Sequence, residues 1–133
     1  MKNEKTKLLM VFRSTGGTTE LGNDFKDTYG YEVLFVNKVV EALTQDFGSF
    51  DAVLCNNAMP TENMTPNDTR ESNNGLEFGI FFAKKVREKH PDLPIILLGT
   101  SHPDGELSKK TCFIMKPEFT SNIHKTIQKM LKK

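Results

Sequence analysis

Apolar positions along this chain follow two alternating rhythms. Short apolar runs at Lys7–Phe12, Tyr31–Val36, Ala52–Asn56, Pro94–Leu98 and Thr111–Met115 have the length and the branched content of strands buried on both faces. Between them the apolar positions recur at helical spacing. Thr15-Gly16-Gly17-Thr18 forms a turn able to cap a helix reaching about Tyr29, with Leu21 and Phe25 one turn apart and Gly30 ending it. Asn37 is placed to cap a helix through Val39, Val40, Ala42 and Leu43. Gly75–His90 is strongly amphipathic, with Leu76, Ile80, Phe81 (or Phe82), Ala83 and Val86 set against Lys84, Lys85, Arg87, Glu88 and Lys89. Pro91 forbids its continuation. Thr120 or Ser121 caps a last helix that turns Ile123, Ile127 and Leu131 inward.

Strands alternating with helices predict an α/β fold: a doubly wound, five-stranded parallel sheet with helices on both faces. Sites in such sheets lie beyond the carboxyl ends of the strands. The pattern holds from residue 1 to 133 as a single domain without an internal repeat. One stretch breaks it. Thr61–Asn74 is polar, rich in Asn, Thr and Pro, with almost nothing to bury, and is expected to be a mobile loop insertion.

Composition narrows the function by exclusion. The 133 residues are 37% hydrophobic and 26% charged, with a net charge of +1, so no strong field draws the chain to nucleic acid or to an acidic membrane. No apolar run approaches the length of a membrane span, and residues 1–7 lack the apolar core of a signal peptide, which together suggest a cytoplasmic protein. Cys55 and Cys112 fall inside strand runs without a partner at metal-ligand spacing, so neither a disulfide nor a metal site is expected. His90, His102 and His124 are scattered, and no Ser/His/Asp or Cys/His set is supported by spacing. On these grounds neither an enzyme nor a bound cofactor is expected.

The third strand and the residues after it, Phe50-Asp51-Ala52-Val53-Leu54-Cys55-Asn56-Asn57-Ala58-Met59-Pro60, carry a more specific pattern. With Lys7-Leu8-Leu9-Met10-Val11, Gly75-Leu76-Glu77-Phe78, His90-Pro91-Asp92-Leu93-Pro94-Ile95-Ile96-Leu97-Leu98 and Lys116-Pro117, it resembles the receiver domains of response regulators over nearly the whole chain. That resemblance implies a flavodoxin-like sheet of order 2-1-3-4-5. It also implies a site at the carboxyl edge, where an Asp at the end of the third strand takes a phosphoryl group beside Mg²⁺.

Here the phosphoacceptor position is Asn56, and the acidic pair that holds the metal is matched by Phe12 and Arg13. The hydroxyl residue after the fourth strand is matched by Gly99, with Thr100 and Ser101 just beyond, and the switch aromatic by Phe113. Only Lys116 is kept. An amide oxygen is a poor nucleophile and a poor ligand for a hard cation, and Arg13 and Lys116 would together repel one. A salt bridge of these two with Glu62 is the structural alternative to a vacant anion site. The chain between Gly99 and Lys116 is too short for the family's full fourth helix, and the loop after the third strand is enlarged.

The expected function is therefore that of a non-phosphorylatable pseudo-receiver. It would act through protein–protein interaction with another signalling protein in a two-component or related pathway, as a monomer or weak homodimer. Two alternatives remain. Thr15-Gly16-Gly17-Thr18 resembles the phosphate loop of flavodoxins, which suggests a small FMN-binding protein. The same turn with Arg13 and Lys116 could instead serve a phosphorylation-independent sensor of a small anion.

Overall fold

The computed structural model describes residues 6–12, 16–61, 63–100, 107, 110–115 and 120–131, and for residues 16–19 the backbone alone. Five strands, β1 (Lys7–Val11), β2 (Glu32–Val36), β3 (Ala52–Asn56), β4 (Ile95–Gly99) and β5 (Thr111–Met115), form one parallel sheet of order β2-β1-β3-β4-β5. The helices are α1 (Gly16–Tyr29), α2 (Val39–Leu43), α3 (Pro66–Glu71), α4 (Phe78–Arg87) and α5 (Thr120–Leu131), with one 3-10 turn at Phe47–Ser49.

Strand alternation sorts the apolar side chains into two cores. Leu9 and Val11 of β1 join Val53, Cys55, Ile95 and Leu97 beneath Phe78, Phe82 and Val86 of α4. Leu8, Met10 and Phe12 face the other way and meet Leu54, Ile96 and Leu98 under Phe25 of α1 and Ile123 and Ile127 of α5. Each fully buried large side chain contributes about 1.5–3 kcal/mol by leaving water. The buried steps of the central strands, Leu8–Val11, Ala52–Cys55 and Ile95–Leu98, are therefore all apolar, as the continuous runs predict.

Arg87 fastens the amino edge. Its guanidinium donates to the carbonyls of His90 (2.8 Å), Leu93 (2.7 Å) and Lys110 (3.3 Å) and to Thr111 Oγ1 (2.9 Å), tying the end of α4 to the starts of β4 and β5. Burial lowers its pKa from the ordinary value. Asp51 is locked on the same edge, accepting from the Lys7 backbone amide at 2.8 Å.

Several local expectations need correction. Thr61–Asn74 is not loop throughout, because it contains α3. Thr65 Oγ1 accepts from the Asp68 amide at 3.0 Å, and Pro66 stands in the first turn, so the helix is set by its cap rather than by an apolar stripe. The segment also buries Ser72 completely. The amphipathic helix spans Phe78–Arg87 and not Gly75–His90. Asn73, Asn74 and Gly75 take left-handed φ angles of 54°, 57° and 85° and lead into it, which leaves Leu76 before the helix and 62% exposed. Phe81 and Phe82 are both buried.

Leu131 does not turn inward: it ends α5, which leaves it 36% exposed. Asn37 is not the cap of α2, since Lys38 holds that position without a side-chain bond. The edge strands β2 and β5 are only partly buried, having a neighbour on one side alone, so Cys112 is half-buried. The shortened fourth helix falls largely on residues 101–106 and 108–109, outside the described residues.

Candidate functional site

The carboxyl ends of β1, β3 and β4 bring Phe12, Asn56 and Gly99 to one edge of the sheet. Phe12 and Asn56 stand one step beyond the paired Val11 and Cys55, and Gly99 one step beyond Leu98, the partner of Asn56. The edge is where the sequence places it.

Phe12 does not line an open cleft. Its amide donates to the Val36 carbonyl at 3.0 Å, and its ring, 1% exposed, is part of the core shared by α1 and α5. A carboxylate buried at that point would need a partner for its charge. Asn56 is half-buried at the end of β3, and its side-chain amide donates to the Ala58 carbonyl at 3.0 Å. The Asn56 amide thus stabilises the turn leaving the strand. A carboxylate has no proton for that bond.

Asn57, the next residue, is a participant that the sequence pattern does not single out. It is 5% exposed, its amide donates to the Leu98 carbonyl at 2.8 Å, and its carbonyl accepts from the Gly79 amide at 2.9 Å. Its side-chain Oδ1 has no hydrogen-bond partner. Met59 follows, donating to the Gly75 carbonyl at 2.9 Å. These bonds join the exit of β3 to the entry of α4, with α3 and its flanking turns looped between them. The only sequence signal was the strand's period: one residue past Asn56, the side chain turns to the opposite face.

Gly99 is partly exposed at the end of β4, and Thr100 beyond it is exposed. Phe113 of β5 is half-buried and packs against the core beneath α4. Arg13, Thr15, Glu62, Ser101 and Lys116 lie outside the described residues. Gly16, Gly17 and Thr18 form the first turn of α1, so the Gly/Thr turn does open a helix. The convergence of Arg13 and Lys116 with this turn is a matter for proposal.

The Mg²⁺ expected of a receiver is not matched by the residues that can be described. Phe12 offers a core ring and Asn56 a neutral amide already bonded to backbone. Among the described residues, no group of three or more His, Cys, Asp or Glu side chains is placed to hold a metal.

No protein-family model matches the sequence, and no curated protein matches it either. Solved structures do match. A response regulator receiver protein from Sinorhizobium medicae aligns with a TM-score of 0.72 at 16% identity, covering 98% of this chain and 97% of its own. Chemotaxis protein CheY4 from Vibrio cholerae aligns with a TM-score of 0.72 at 25% identity, covering 96% and 99%. The receiver domain of a sensor histidine kinase from Pseudomonas aeruginosa, with magnesium coordinated in its active site cleft, aligns at 0.69 and 16%, covering 98% and 100%.

The chain has the receiver fold. The alignments span nearly all of both partners.

Proposed function

We propose that this chain is a signalling domain of the receiver type that works without phosphorylation, through contact with another protein of a two-component or related pathway. The observation that carries this reading is the burial of Phe12 in the core at the carboxyl end of β1, where the receiver resemblance expects an acidic metal ligand. Mg²⁺ dehydrates reluctantly and is held through carboxylates, and a phosphoryl acceptor needs an oxygen nucleophile. Phe12 removes the first requirement and Asn56 the second. Receiver neighbours in signalling proteins support the pathway assignment, and the ordinary surface charge supports a protein partner over nucleic acid.

In this reading the protein holds one conformation, with the Asn56 amide closing the β3 turn in place of a switchable carboxylate. Arg13 and Lys116 are proposed to face the same edge, where they would favour an internal or bound anion over a cation. Affinity capture from the native cell tests the reading. A signalling protein should be recovered, and pretreatment with acetyl phosphate and Mg²⁺ should leave its yield unchanged. A yield that depends on the phosphodonor would contradict it.

A further inference from the structure

The outer edge of β2 has the pattern of a self-complementary docking strand. Two bonds to the first strand fix which backbone groups face outward: Glu32 donates its amide to the Thr6 carbonyl at 2.9 Å, and the Val36 carbonyl accepts from Phe12 at 3.0 Å. Glu32, Leu34 and Val36 therefore turn their backbone groups toward β1, and Val33, Phe35 and Asn37 turn theirs away from the sheet. Beyond Val36 the chain bends at Lys38, whose own backbone has extended angles, φ −127° and ψ 137°, and α2 starts at the next residue.

The side chains along this edge are unusual for a free strand. Leu34 is 44% exposed on one face and Phe35 37% exposed on the other. The helix that follows, α2, is only five residues long. Natural edge strands are commonly blunted by proline, a bulge or a central charge. None of these occurs between Glu32 and Lys38.

We propose that a second copy of this chain pairs here, β2 against β2 in antiparallel sense, about a two-fold axis at Phe35. The outward groups of Val33, Phe35 and Asn37 then meet those of Asn37, Phe35 and Val33 of the other copy, so every new backbone bond has a partner. The two Phe35 rings face each other across the axis on one side of the sheet. On the other side Leu34 opposes Val36, and each Glu32 opposes a Lys38. Sliding by two residues either way sets Glu32 against Val36 or Lys38 against Leu34, so charge selects this register. Sliding by one sets outward groups against inward ones and loses the ladder.

Sedimentation of the full chain over a range of concentrations tests this, with circular dichroism confirming that each variant is folded. The wild type should associate reversibly to a dimer. Glu32→Lys alone and Lys38→Glu alone should each weaken it by about tenfold, as two attractions become two repulsions. The double exchange Glu32→Lys with Lys38→Glu should restore it, and Phe35→Glu should abolish it. A wild type that stays monomeric throughout would overturn the proposal. So would a dimer indifferent to the single reversals, or one that the double exchange fails to rescue.

Discussion

The amide of Gly79 donates to the carbonyl of Asn57 at 2.9 Å, and a Cβ placed on Gly79 would stand 2.6 Å from Asn57 Oδ1. The first turn of α4 thus lies directly on the residue after the phosphoacceptor position. Gly75 is tighter still: with φ at 85°, its Cβ would run into the Met59 carbonyl. Both glycines should resist substitution, for different reasons. Gly79→Ala gains helix propensity but must displace Asn57 and Leu97, for a net loss of about 1–2 kcal/mol. Gly75→Ala adds left-handed strain and a backbone clash and should cost more, about 3 kcal/mol or beyond. Urea denaturation midpoints check the order.

Restoring the carboxylates should separate the two site positions. Asn56→Asp sits half-exposed and loses the bond to Ala58, so it should cost about 1 kcal/mol and leave a folded protein. Phe12→Asp empties a ring-sized space in the core and buries a charge, at a cost of about 4 kcal/mol or more. Thermal unfolding of the two variants checks this. Equal stability would mean that the Phe12 ring is not essential to the core.

His124 of α5 joins that helix to the end of α1 and the approach to β2. Its ring stacks on Tyr29 at 4.0 Å between centroids, and its Nδ1 lies 2.9 Å from the Tyr31 hydroxyl. Burial lowers its pKa from 6.5, while Tyr31 is pushed up to about 12 by burial and then by Tyr29. A base that protonates less readily in the fold contributes stability that is fully present above 6.5. That contribution is lost as pH falls from there through the folded value. An NMR titration should place the His124 midpoint below 6.5.

Trypsin should make its first internal cut after Arg70. That residue is exposed on α3, a helix of six residues that buries none of its own side chains and is held mainly by the Thr65 cap. A first cut within α4, at Lys84, Lys85 or Arg87, would show that the insertion is the better protected segment. Mass spectrometry of the early fragments decides between them.

The sheet was readable because β1, β3 and β4 carry apolar side chains at every buried step, and β3 and β5 begin and end where the pattern puts them. Errors collect where turns and caps override periodicity. Leu76 fits a helical stripe by spacing alone, yet the left-handed run at Asn73, Asn74 and Gly75 delays the helix to Phe78. Helix α3 has no stripe at all, and its signal was Thr65-Pro66 with Asp68, a cap and a first-turn proline. At the site, Phe12 and Asn56 could be assigned because the strands that carry them were. The part played by Asn57 could not, because it depends on how closely α4 approaches through Gly79.

The most direct test of the central claim is the intact mass of the purified protein after incubation with acetyl phosphate and Mg²⁺. With a core ring at Phe12 and an amide at Asn56, the mass should not change, and Asn56→Asp should remain equally unmodified. An added phosphoryl group on the wild type, removed by hydroxylamine as an acyl phosphate would be, would contradict the account.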